Sequence, residues 1–145
     1  MMSEQVAGLI RDMFPGIGVT IPRERRITVY STADRLHDVL RGLHGAGVTH
    51  VTTITCMDKI ERGMFELLYH LWWENNLITV RIEIPRAIPV IPTITTIFPG
   101  ALSYEREIQG MFGIQVENIP DPRRILLSDE FPLGVYPLRK DYEVK

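Results

Sequence analysis

The sequence predicts an α+β fold: a single domain in which an antiparallel sheet of about four strands packs with two to three helices, followed by an extended, proline-rich C-terminal arm. Three observations predict it. Two segments in the first half carry apolar residues at helical spacing, residues 48–84 switch to strand-like alternation, and the last third carries Pro120, Pro122, Pro132 and Pro137 with neither period. The core domain is expected over residues 1–113 and the arm over 114–145. A chain of 145 residues with 45% hydrophobic content suits one core, because a domain of that length buries roughly 68–70% of its unfolded surface.

The first helix is expected where Ser3-Glu4-Gln5 precedes Val6, Leu9, Ile10 and Met13, which share one face until Pro15-Gly16 stops it. Ile17–Ile21 and Arg26–Tyr30 read as two strands of a hairpin around Pro22 and its charged neighbours. Ser31 or Thr32 is the expected cap of a second helix with the stripe Leu36, Val39, Leu40 and Leu43, ended by Gly45-Ala46-Gly47. Val51–Thr55, Met64–Trp73 and Leu77–Ile84 then form a meander, with Glu74-Asn75-Asn76 as its tight turn. Adjacent Trp72 and Trp73 must point to opposite faces of their strand, so one of them packs under a helix. Prolines break Pro85–Gly100 and leave Thr93–Phe98 as an edge strand, after which Ala101–Phe112 forms a third helix ending near Gly113.

Charge and composition exclude several functions. Sixteen basic and 18 acidic residues leave a net charge of -2 without a basic block, so nucleic acid is not an expected partner. No apolar run approaches the roughly 18 residues of a bilayer span, and the N-terminus lacks a secretory signal pattern. Any membrane association is expected to be indirect and the compartment cytosolic. The single cysteine, Cys56, permits no internal disulfide and no four-thiolate site; in its alternating segment it reads as a small buried hydrophobe, with a reactive thiol as the alternative. His37 and His44 share a helical face but lie two turns apart, too far for a chelating pair, and the glycine clusters lack phosphate-loop spacing.

Two constellations remain. Glu105-Arg106-Glu107 offers a carboxylate pair for acid/base chemistry, yet on a helix the two acids diverge by about 200°, which favours salt bridges at the surface or an interface. The C-terminal third alternates apolar residues with basic pairs, Arg123-Arg124 and Arg139-Lys140, followed by Asp141, in a proline-rich stretch. Such a segment suits docking along another protein, and the alternative is a tail that wraps its own domain.

The same residues carry a family resemblance. Tyr104-Glu105-Arg106-Glu107-Ile108, then Met111-Phe112-Gly113-Ile114, then Arg123-Arg124-Ile125-Leu126-Leu127, then Pro137-Leu138-Arg139-Lys140-Asp141-Tyr142 resemble the signature of the 30-kDa subunit family of respiratory complex I, in that order. The resemblance implies a non-catalytic subunit in the hydrophilic arm of a membrane-bound oxidoreductase that couples electron transfer to ion translocation. It implies no cofactor in this chain, with iron–sulfur clusters, and nickel–iron in the hydrogenase-type complexes, held by partner subunits. Its implied partners are a hydrogenase-like large subunit, on which the arm packs, and an iron–sulfur subunit, at the cytoplasmic face of the membrane. Glu105, Arg106, Glu107, Arg123, Arg124, Arg139, Lys140 and Asp141 are the implied docking residues, arginine being suited by its planar, two-pronged donor set.

Three departures point to the shorter relatives in membrane-bound hydrogenases and ferredoxin-linked complexes. Gly110 stands where many relatives are acidic, Gly134-Val135-Tyr136-Pro137 replaces a Gly-His-Pro, and the sequence stops three residues after Tyr142. A free-standing acid/base enzyme using Glu105 or Glu107 and a generic adaptor remain the alternative readings.

Overall fold

The computed structural model describes residues 2–120, 136 and 138–140. Helix α1 (Ser3–Met13) buries Val6, Ala7 and Ile10, and the Gln5 side chain accepts the Met2 N–H at 3.0 Å in front of its first turn. Ser3, expected ahead of the helix, lies inside it and is buried: its hydroxyl donates to Asn76 Oδ1 at 2.9 Å and accepts Arg25 N–H at 2.7 Å. One small polar side chain thus ties the helix to two turns of the sheet.

Strands β1 (Gly18–Arg23) and β2 (Arg26–Tyr30) form the expected hairpin, with Val19 opposite Val29 and an irregularity around Pro22, at the sheet edge where a missing N–H is tolerated. Helix α2 (Leu36–Ala46) begins later than expected. Neither Ser31 nor Thr32 caps it; residues 33–35 make a turn, with Arg35 N–H donating to Thr32 O at 3.2 Å, and the helix starts on Leu36, the first residue of its buried stripe. Its far end closes on Gly47 at φ 126°, a conformation glycine tolerates best.

Strands β3 (Val51–Lys59), β4 (Met64–Trp73) and β5 (Asn76–Pro85) are the meander. Trp73 pairs with Asn76 across a two-residue turn in which Glu74 and Asn75 both have positive φ, 50° and 60°, the handedness that matches strand twist. The sheet has five strands in the order β1-β2-β5-β4-β3. It is mixed and not wholly antiparallel, because β2 runs parallel to β5, Ile27 beside Ile78 and Val29 beside Val80. Periodicity cannot reveal that pairing, since it fixes which residues face the core and not which strand lies alongside. Inward residues Phe65, Leu67, Tyr69, Leu71 and Trp73 join the buried stripes of the helices in one core. The two tryptophans part as expected: Trp73 is 8% exposed and Trp72 is 50% exposed on the opposite face. On that outer face Arg81 bridges Glu66 at 2.7 Å and Glu83 at 2.5 Å.

Thr93–Phe98 is not a strand. The strand lies just before it, β6 (Val90–Pro92), and pairs in parallel with β7 (Gln115–Glu117), the ladder extended by Thr93 N–H to Glu117 O at 2.9 Å. The chain then turns, with Phe98 N–H bonded to Ile94 O at 2.8 Å, and buries Ile94, Ile97 and Phe98. Helix α3 (Leu102–Phe112) follows a 3₁₀ turn at Pro99–Ala101 and stops at Gly113, φ 75°. Beyond it Ile114 and Val116 are buried in the core, so the first residues of the expected arm belong structurally with the domain.

Candidate functional site

The expected carboxylate pair separates as helical geometry requires. Glu107 is exposed, whereas Glu105 is 0% exposed, so the expectation of a surface or interface salt bridge at Glu105 is overturned. Its oxygens are both engaged inside the chain: Oε1 accepts the Thr93 hydroxyl at 2.6 Å and Oε2 the Ile94 N–H at 2.8 Å. Burial raises the Glu105 pKa and these two bonds oppose the rise. His37 on α2 meets the same turn, its Nε2 lying 2.6 Å from Thr93 O. The acidic residue of the signature therefore fastens α3 to the turn that follows β6, which is why that stretch bends away from a strand.

A second cluster forms where α3 ends. The last carbonyls of a helix have no partner within it. Here Leu138 N–H donates to Met111 O at 3.1 Å and Arg139 Nε to Phe112 O at 2.6 Å, which also places a cation at the negative end of the helix dipole. The Arg139 guanidinium stands 5.2 Å from the Phe65 ring centre and 4.7 Å from that of Tyr136, both within cation–π range. Phe65 also meets Phe112 edge-on at 6.0 Å and Arg86 at 5.3 Å. The Tyr136 ring lies against Gly113, filling the space a Cβ would need, so glycine is required there both by positive φ and by close approach.

Asp58 on β3 is the hub. Its buried carboxylate accepts Arg86 Nε at 2.7 Å and Nη2 at 3.0 Å in a two-pronged pair, and Lys140 N–H at 2.9 Å. Alternation along β3 places Asp58 on the inward side with Ile54 and Cys56, opposite Phe65. A carboxylate at an inward strand position demands a cation, and that signal was available in the sequence. Arg86 and Tyr136 carried no comparable signal, because their contacts join segments remote in the chain.

Cys56 lies partly buried between these groups. Burial first, and then the charge of Asp58, push its thiol up to about 12, with Arg139 acting in the opposite direction. Arg106 is half-buried on α3, while Arg123, Arg124 and Asp141 fall outside the described residues. Among the described residues no group of three or more His, Cys, Asp or Glu side chains is disposed to hold a metal ion. Nor is any helix there long and apolar enough to cross a membrane.

Fold and cluster together define an α+β domain in which two described residues of the C-terminal signature, Leu138 and Arg139, are fastened to the end of α3. The chain belongs to the family of the respiratory-chain NADH dehydrogenase 30 Kd subunit, whose pattern matches residues 29–145. Among curated relatives, the membrane-bound hydrogenase subunit beta of Pyrococcus furiosus is 44% identical, the match covering 96% of this chain and 85% of that one. A subunit of the F(420)H(2) dehydrogenase of Methanosarcina mazei is 29% identical, with 97% and 89% covered. A chain in the structure of the membrane-bound sulfane sulfur reductase, an archaeal respiratory membrane complex, superposes with a TM-score of 0.88 at 29% identity, covering 97% of this chain and 85% of that one. The relatives are subunits of complex I-like, hydrogenase and sulfane sulfur reductase membrane complexes.

Proposed function

We propose that this chain is a non-catalytic assembly subunit in the hydrophilic arm of a membrane-bound, hydrogenase-type or complex I-like oxidoreductase. It docks on a hydrogenase-like large subunit beside an iron–sulfur subunit and keeps the two in electron-transfer order, at the cytoplasmic face of the membrane and attached to it only through its partners. Iron–sulfur clusters, and nickel–iron where the complex evolves hydrogen, belong in this reading to the partner subunits. Ion translocation is the work of the assembled complex.

The observation that carries the reading is the near-full-length match to chains that are themselves parts of such complexes. The arrangement of the signature supports it: Glu105 faces the interior, while Glu107 and Lys140 are exposed and available to a partner. The acid/base alternative is disfavoured because Glu105 has both oxygens occupied within the chain and Glu107 points away from it.

The test is affinity purification of the tagged chain from gently solubilised native membranes, with mass spectrometry of what is retained. Recovery of a hydrogenase-like large subunit with an iron–sulfur subunit is the expected result. Recovery of the chain alone, under cross-linking, refutes the proposal.

A further inference from the structure

Thr93 has a neighbour for each of its polar atoms. Its N–H donates to Glu117 O at 2.9 Å, and its carbonyl lies 2.6 Å from His37 Nε2, which carries the proton because a carbonyl only accepts. The buried residue is thereby clamped between β7 and α2. Its hydroxyl oxygen has three neighbours: Glu105 Oε1 at 2.6 Å, Thr95 Oγ1 at 2.8 Å and the Thr95 N–H at 3.2 Å. A hydroxyl donates one proton and accepts at two sites. The Thr95 N–H is always a donor, so two arrangements satisfy all three neighbours. In one, Thr93 donates to an ionised Glu105 and accepts from the Thr95 hydroxyl. In the other, a protonated Glu105 donates to Thr93, which donates in turn to Thr95. The two differ by one proton and by the sense of the hydroxyls, with no heavy atom displaced.

We propose that Glu105 is an internal protonation site, reached from solvent through the hydroxyls of Thr95 and Thr93. Thr95 is half-buried and forms the water-facing end of the chain. A proton delivered by water to Thr95 Oγ1 displaces the Thr95 proton to Thr93 Oγ1, and the Thr93 proton passes to Glu105 Oε1. Each hydroxyl gives one proton and takes one, and the carboxylate becomes neutral. The surroundings admit both charge states. Glu105 has no ion-pair partner among the described residues, and its Oε2 keeps the Ile94 N–H at 2.8 Å throughout. Of the ionisable groups on the elements packed around it, His37 of α2 favours the ionised acid when charged, and Tyr69 of β4 stays neutral because burial pushes its pKa up. Glu117 of β7 is exposed, and Asp58 and Cys56 of β3 lie with Arg86 and Arg139 toward the other end of α3. The charge near the start of α3 can therefore change with pH while the bonds that fasten this helix persist. This site is independent of the subunit role proposed above.

NMR of the glutamate side-chain carboxyl carbons, with the full chain titrated from neutral to acid pH, tests this. One carboxyl, identified by its loss in Glu105→Gln, is expected to take its proton at higher pH than the exposed glutamates, with the backbone amide spectrum unchanged across the step. Thr95→Val removes the acceptor that the Thr93 hydroxyl needs only when Glu105 is protonated. It is expected to weaken the proton affinity of Glu105 about three- to tenfold, the worth of one hydrogen bond. It is also expected to slow deuterium uptake at the protonated carboxyl, followed by infrared absorption after transfer to heavy water, on the order of tenfold or more, because exchange then waits on local opening. Thr95→Ser keeps the hydroxyl, and Thr96→Val alters the exposed neighbour outside the chain; both are expected to titrate and exchange like wild type. A Glu105 midpoint no higher than that of the exposed glutamates, or loss of amide dispersion at the step, overturns the proposal. So does a Thr95→Val chain that behaves like wild type, or a Thr95→Ser chain that falls as far as Thr95→Val.

Discussion

Replacing Asp58 with alanine is the sharpest probe of the cluster beneath α3. The substitution removes a two-pronged pair with Arg86 at 2.7 and 3.0 Å and the acceptor of Lys140 N–H at 2.9 Å, from a side chain that is nearly inaccessible to water. Deleting one partner of a buried pair costs about 3–5 kcal/mol, chiefly through the charge left behind. Arg86 retains some solvent access and its place over Phe65, which points to the lower end, about 3 kcal/mol. For a domain of this size 1 kcal/mol moves the midpoint by roughly 3–4 °C, so Asp58→Ala should melt about 10 °C below wild type. Asp58→Asn keeps the shape and one carbonyl acceptor and should lose roughly half as much. Urea titrations of the three proteins, checked for coincident fluorescence and circular-dichroism transitions, give the free energies directly. If Asp58→Ala unfolds within about 1 kcal/mol of wild type, the hub contributes no more than a surface pair and does not anchor Arg86 and the Lys140 N–H.

Three further outcomes follow from the same geometry. Burial raises the folded pKa of Glu105 above the ordinary 4.5, so the stability that Glu105 confers relative to Glu105→Gln is largest below that value and is lost as pH rises through the folded pKa; urea midpoints of the pair from acid to neutral pH check it, and a difference that grows with pH contradicts it. Gly113→Ala meets both a φ of 75° and the Tyr136 ring, and should destabilise by about 1–3 kcal/mol, with part of the loss relieved in a Tyr136→Ala background, as a double-mutant cycle will show. A thiol pushed up to about 12 is largely protonated at pH 8, so Cys56 in the native chain should react with a disulfide reagent at least about a hundredfold more slowly than in the unfolded chain.

What the sequence made legible followed from period. The stripes of α1 and α2, the meander, the Asn-containing turn and the opposed tryptophans all express side-chain repeat lengths of 3.6 or 2. What stayed hidden depends on contacts between distant segments. The parallel pairing of β2 with β5 sets Val29 beside Val80, and no local pattern distinguishes that neighbour from an antiparallel one. The turn after β6 bends because Glu105, on the following helix, holds Thr93 and Ile94; taken alone, Thr93-Ile94-Thr95-Thr96-Ile97 has strong strand propensity. Ser31 and Thr32 are good caps by residue type, yet α2 starts where its buried stripe starts, which shows tertiary burial outweighing a local preference worth about 1 kcal/mol. Of the expected docking residues, Arg139 and Lys140 come to one place, but their opposite orientations follow from the α3 carbonyls and Asp58 and not from their adjacency.

The two buried carboxylates have a common logic. An acid inside a domain adds little net stability over a well-packed apolar residue, but it penalises every arrangement in which its particular donors are missing. Glu105 penalises any placement of α3 that does not bring it to Thr93 and Ile94, and Asp58 penalises any in which Arg86 and the Lys140 N–H lie elsewhere. One acts near the start of α3, where the chain enters from β6, and the other beside its end, where the signature residues Leu138 and Arg139 fasten. A helix held at both ends by such all-or-none contacts has one register on the sheet. For the assembly role proposed above, that uniqueness matters more than additional stability.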